Sequence, residues 1–132
     1  MNHPGQGIIL LAHGARDPAW SAPFEAVAAR VRAARPDLAL RLAFLEFMAP
    51  GLADAGAALA AAGCTSVEIV PLFLGMGGHV RKDVPHQVDA LRAAHPAIGW
   101  HLHPAAGEAD RVVVALAETA LAAARPPFAV PP

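Results

Sequence analysis

The sequence predicts an α/β fold: a single doubly wound, mostly parallel four-stranded sheet with helices on both faces, in the flavodoxin-like manner. Three observations predict it. Short, continuous apolar runs alternate four times with longer stretches whose apolar residues recur every three or four positions. Strands alternating with helices imply parallel neighbours, and right-handed crossovers leave few topologies. The chain has 132 residues, 55% hydrophobic and 16% charged, which is one domain's worth with enough apolar content for a core and too little charge for disorder. Residues 1–125 are expected to form the domain, and 126–132, which hold four prolines, a tail.

Gly7 to Ala12 (GIILLA) reads as a strand buried on both faces. Asp17 and Pro18 signal a helix start, and Phe24, Val27 and Val31 follow at helical spacing until Pro36. Leu38 to Leu45 is a second strand. Pro50 opens a second helix with Leu52, Ala55 and Leu59 on one face and Gly63 at its C-terminal cap. Ser66 to Leu74 is a third strand, and Pro71 inside it predicts a bulge or an edge. Gly75 to His79 reads as a glycine-rich loop. Val84, Val88 and Leu91 mark a third helix ending near His95-Pro96. Ile98 to Leu102 is a fourth strand, and Glu108 to Ala124 a fourth helix with Val112, Leu116 and Ala120 in one row.

Composition narrows function. The formal net charge is −1 and Lys82 is the only lysine, so no basic stripe for nucleic acid is visible. No apolar run reaches the length of a membrane span. The start, MNHPGQG, lacks the features of a signal peptide, so a cytoplasmic protein is expected. The one cysteine, Cys64, forms no CxxC motif and falls just after a helix. Alanine is roughly a quarter of the chain, far above ordinary usage, and says little about function. Seven histidines stand out against this charge-poor background.

In open α/β sheets ligands bind beyond the carboxyl ends of the strands. After the first strand comes His13-Gly14-Ala15-Arg16-Asp17. Glu46 follows the second, and Gly75-Met76-Gly77-Gly78-His79 with Arg81, Lys82 and Asp83 follows the third. His101 and His103 alternate on the fourth, so both point to one face, with His103 nearer the rim. Each has an ordinary alternative: a backbone-bonded histidine for His13, a solvent-facing strand residue for Glu46, a plain loop for His79, solvated charges for the cations. His3, His86 and His95 read as a tail residue, an exposed helix face and a helix end. The glycine loop matches neither GxxxxGK[ST] nor GxGxxG, and no GxSxG is present. Two histidines and a carboxylate remain. That set suits a divalent first-row metal or acid–base chemistry near neutral pH.

The segments LLAHGARDPAW, FLEFMAP and VPLFLGMGGHVRKDVP resemble, in order and separation, the signature regions of the small sirohydrochlorin chelatases of the CbiX/SirB type. The likeness covers roughly residues 7 to 110. Ala15 departs from it, since serine is common there, and removes a hydroxyl that could anchor substrate. The resemblance implies a class II chelatase that inserts cobalt, iron or possibly nickel into sirohydrochlorin, a carboxylate-rich tetrapyrrole, for cobalamin or siroheme synthesis. Carried over by position, it implies His13, Glu46 and His79 as catalytic residues and metal ligands. The macrocycle would need an apolar slot, for which Met48, Phe73, Leu74 and Met76 are available, and cations for its carboxylates, for which Arg16, Arg81 and Lys82 are available. No permanently bound cofactor is implied, because the divalent metal is a substrate. A chain of this length is expected to form a homodimer, with no nucleic acid or membrane partner. Two other readings stay open: a carrier that binds metal or tetrapyrrole without turnover, and a metal-free enzyme using His13 as general base.

Overall fold

The run GIILLA has no polar side to turn to water, so it can only be placed where both of its faces are covered. The computed structural model, which describes residues 5–126, puts it at the centre of a sheet. Strands β1 (Gln6–Ala12), β2 (Ala39–Phe44), β3 (Ser66–Pro71) and β4 (Gly99–Leu102) lie in the order β2-β1-β3-β4. All three pairings are parallel. The helices are α1 (Ala22–Ala34), α2 (Leu52–Ala61), α3 (Gly78–Ala94) and α4 (Asp110–Ala123), with 3-10 turns at Pro18–Ser21 and Ala106–Glu108. The α/β class, the four-stranded parallel sheet and the strand–helix alternation are as the sequence predicts.

Period-two alternation sends Ile9, Leu11, Val67 and Ile69 to one face, where they meet Leu52, Ala55 and Leu59 of α2 and Val84, Val88 and Leu91 of α3. Each such aliphatic side chain contributes about 1.5–3 kcal/mol on full burial, so this face supplies most of the stability. Leu10 and Leu40 turn the other way and bury Ala28 of α1 between them, with Val31, Leu42, Val70 and Leu72 half-buried around them. Gly63 closes α2 at φ +89°, as its position predicts.

Three local expectations are corrected, and one expected helix packs differently from the rest. Asp17 does cap a turn, accepting from the Ala19 N–H at 2.9 Å, but the turn is 3-10 and α1 begins only at Ala22. Pro71 makes neither bulge nor edge: it is the buried last residue of a central strand. The next N–H, of Leu72, bonds to Leu11 on the β1 side at 2.7 Å, so Pro71's missing donor falls on the β4 side, where β4 has already ended. The glycine loop is shorter than expected, because Gly78 opens α3 and puts His79 in its first turn. Finally, α4 has the predicted apolar content but buries none of its residues; Leu116 is 50% and Leu121 72% exposed. The chain before it is held instead, since the Gly107 N–H donates to Phe73 O at 2.8 Å and the Glu108 carboxylate accepts from the Ala105 N–H at 3.1 Å. Among the described residues no helix is long and apolar enough to cross a membrane. Of the expected tail only Pro126 is described, and His3 also lies outside the described residues.

Candidate functional site

The strand order reverses between β1 and β3: the chain leaves β1 toward β2 on one side, while β3 lies on the other. Such a switch point opens a crevice at the strands' carboxyl ends. His13 stands there, directly after β1 and exposed to solvent. Its ring stacks on Phe73, with centroids 4.2 Å apart and planes 29° from parallel. Phe73 itself is 4% exposed, a member of the α2/α3-side core. A buried aromatic therefore supports one face of the imidazole and leaves the other to solvent.

Glu46 comes to the same place by backbone pairing that continues beyond β2. The Leu45 N–H donates to Ala12 O at 3.0 Å and the Glu46 N–H to His13 O at 3.1 Å. The backbones of the two predicted ligands, far apart in sequence, are thus hydrogen-bonded to each other. Gly14 makes this possible. Its φ is +89°, and a Cβ there would strike the Glu46 carbonyl oxygen. The Glu46 side chain is exposed and bonds to no other described residue.

Past Glu46 the chain turns within three residues. The Met48 N–H donates to Glu46 O at 2.8 Å around Phe47 at φ +66°, a γ-turn with positive φ. Such a backbone costs about 1–3 kcal/mol for a non-glycine residue. Phe47 is 59% exposed, and the Arg16 guanidinium lies 5.1 Å from its ring centroid. An exposed cation–π contact contributes about 0.5–1 kcal/mol, so it offsets only part of that strain. Sequence reasoning missed Phe47 altogether: nothing in FLEFMAP marks one residue of the run as left-handed.

His79 is exposed on the first turn of α3, a start that no side chain caps. The helix is anchored there by Val80 and Met76, which pack on the α2/α3-side core. Arg16, Arg81 and Lys82 are exposed, Met48 and Met76 half-buried, and Leu74 is 71% exposed. The structure therefore joins His13 to Glu46 through the backbone and to Phe73 through its ring, and places His79 on a separate element. Among the described residues no three His, Cys, Asp or Glu side chains are gathered closely enough to hold one ion. Beside Phe73, on the α1 side, a cavity of ≈220 Å³ is lined by Phe24, Val27, Leu72, Leu74 and Val112. Cys64 is buried, and burial pushes its thiol pKa up, with Arg41 a smaller opposing influence. His95 forms the C-cap of α3 with its ring 5.9 Å from that of Trp100, and His86 is exposed on α3, as their positions predict.

The CbiX family model matches residues 7–123. The chain belongs to the CbiX family. This CbiX-family chain is 33% identical over 79 residues to the sirohydrochlorin cobaltochelatase of Methanosarcina acetivorans, across 60% of its own length and 61% of the relative's. It is 29% identical over 86 residues to the sirohydrochlorin cobaltochelatase of Sulfurisphaera tokodaii, across 65% and 70%. The matches to the Methanosarcina proteins thus span about three-fifths of those relatives. Its fold superposes on a CbiX protein from Marinobacter aquaeolei with TM-score 0.78 and 32% identity, covering 89% of this chain and 95% of that one. It superposes equally well, TM-score 0.78, on sirohydrochlorin chelatase SirB from Bacillus subtilis in complex with cobalt, covering 95% of this chain but only 52% of that one. At 24% identity the second likeness is one of fold alone.

Proposed function

We propose that this protein inserts a divalent metal, cobalt, iron or nickel, into sirohydrochlorin, serving cobalamin- or siroheme-type tetrapyrrole synthesis. The observation that supports the reading is the backbone bond from Glu46 to His13, which brings the two residues, both exposed and His13 with its ring supported by Phe73, to the same switch point. Family membership points to the same chemistry.

Insertion requires the ion to lose water while two pyrrole N–H protons leave the macrocycle. Imidazole suits both tasks, because it ligates first-row metals through nitrogen and exchanges protons near neutral pH. His13 and His79, the latter closing in from α3, would hold the ion and, once it has passed to the macrocycle, each take one of the two pyrrole protons, while Glu46 supplies the balancing charge. A transit site must also let go. Three ligands contributed by separate elements grip less firmly than a closed four-ligand cage. Arg16, Arg81 and Lys82 face the substrate's carboxylates, Met48 and Leu74 its flat surface, and Phe73 acts from beneath by fixing the plane of His13. The metal is a substrate and leaves with the product, so no resident cofactor enters the scheme.

The protein is further proposed to work as a homodimer. The cavity beside Phe73, at ≈220 Å³, falls below the roughly 300 Å³ at which pockets begin to enclose drug-sized ligands. A macrocycle would lie across the rim, and its second wall would come from another copy. The apolar residues of α4 left uncovered among the described residues support this.

The deciding measurement is metal insertion into purified sirohydrochlorin, followed by the tetrapyrrole's visible spectrum. His13→Ala and His79→Ala are each expected to slow it about 100-fold or more while circular dichroism stays native. Full activity in both variants overturns the assignment. Tight binding of metal and tetrapyrrole by the wild-type protein, with no rate above the uncatalysed one, makes it a carrier. Sedimentation showing only monomer at micromolar concentration removes the dimer.

A further inference from the structure

We propose that Glu68, His101 and His103 form a second divalent-cation site on the α1-side face of the sheet, built by β3 and β4 and separate from the rim. In a strand, residues two apart share a face. Trp100 and Leu102 turn to the α2/α3 side, where Trp100 is 3% exposed and Leu102 packs on the core. His101 therefore points to the opposite face. His103 follows it, since its N–H still bonds to Ile69 O at 2.9 Å and the strand pattern continues past Leu102. On β3, Val67 and Ile69 are buried on the α2/α3 side, which puts Glu68 with the two histidines.

The register completes the set. Glu68 is the direct partner of His101 across the parallel pair, yet its carboxylate reaches forward to His103, with Oε2 2.8 Å from Nε2. The carboxylate is thus rooted opposite one imidazole and bonded to the other. Ligand atoms each about 2.0–2.2 Å from a tetrahedral ion stand about 3.4 Å apart. Replacing the shared proton with a metal therefore needs only a small parting of these two groups. As the side chains stand only Glu68 and His103 are joined, so the three are gathered on one ion only when His101 moves in. Its ring is folded back over Gly99, where Nε2 would lie 3.2 Å from a Cβ if one were present. It is exposed, and rotation about its side-chain bonds swings it toward Glu68.

Among the described residues the site is open to solvent. No residue of α4 is buried over this face, and the His103 and Glu68 side chains are 49% and 30% exposed. His103 also borders a cavity of ≈530 Å³ lined by Val70, Pro104, Glu108 and Arg111, with room for an ion that keeps some of its water. Glu108 and Arg111 offset each other there, which leaves Glu68 as the balancing anion. Two imidazoles two residues apart on a strand, joined by one carboxylate, form a mixed nitrogen–oxygen donor set. Such a set prefers cobalt, nickel or zinc to magnesium or calcium.

The test titrates full-length protein with cobalt(II), read by calorimetry and by cobalt's visible absorption. The rim is first disabled with His13→Ala/His79→Ala. That variant is expected to retain one cobalt equivalent with nitrogen–oxygen-type bands. Adding His101→Ala/His103→Ala, or Glu68→Gln alone, is expected to weaken that binding roughly 100-fold or more. All substituted groups are partly or fully exposed, so circular dichroism should stay native. No bound cobalt in the rim-disabled variant, or unchanged affinity after His101→Ala/His103→Ala, overturns the proposal. The result is independent of whether insertion activity is found, because it is read from stoichiometry alone.

Discussion

The two faces of this sheet are made from the same four strands and are stabilised very differently. On the side of α2 and α3, fifteen of the described residues form one buried cluster; on the side of α1 the buried cluster has three. Alternation along each strand gives the faces similar numbers of side chains, so the imbalance comes from what lies over them. Two helices with continuous apolar rows cover one face. The other has α1, whose only buried residue is Ala28, and α4, which buries none. The lesson is a division of labour. One face holds the fold together, and the other is free to carry polar groups such as Glu68, His101 and His103 that a packed core would exclude.

The largest expected effect tests that asymmetry. Leu59→Ala, on the packed side, should destabilise the protein by about 2–5 kcal/mol in urea unfolding. Leu116→Ala on α4 should change stability by less than about 0.5 kcal/mol at high dilution. A loss for Leu116→Ala that grows with protein concentration would show a second copy covering α4, and the two faces would then differ less in solution than in a single chain.

Next in size is Gly14→Ala. Holding a β-carbon at positive φ costs about 1–3 kcal/mol, and the added methyl would push Glu46 from His13. The melting temperature should fall, and metal insertion should fall further than stability alone explains. Normal insertion in a folded Gly14→Ala protein would show that the backbone contact is dispensable.

The smallest effect belongs to Cys64 on the packed face. Burial holds its thiol pKa above the ordinary value of 9.0. The folded state then retains a proton that the unfolded state releases, so the contribution is present below about pH 9 and is lost as pH rises through the folded pKa. Stability should decline more steeply above pH 9 in the wild type than in Cys64→Ala, and alkylation of native protein at pH 7.5 should be slow. Rapid alkylation there would place the thiol at the surface.

Much of the fold was readable because strand and helix periods differ and the chain respects both. GIILLA has no polar residue to turn outward, so a central strand was the only place for it. Leu52, Ala55 and Leu59 specified the covered face of α2 by spacing alone. The helical row of Val112, Leu116 and Ala120 was also readable, but its lack of burial was not, since periodicity reports that a face is apolar and not what meets it. Pro71 misled for a related reason: a missing donor matters only if a neighbour's carbonyl awaits it, and strand length decides that. At the site, the residue types after each strand were legible. The stack of His13 on Phe73 and the left-handed Phe47 under Arg16 were not, because both depend on groups brought together from different loops.

By itself, then, the sequence determined which residue types follow each strand and that parallel strands end at one rim, because strand direction follows from the alternation of elements. Only the tertiary structure decided that His13 and Glu46 are backbone neighbours, that His79 stands apart on a helix, and that one face of the sheet is sparsely packed among the described residues. Those outcomes depend on register and on how far each helix reaches, quantities set by packing between segments that no local pattern encodes.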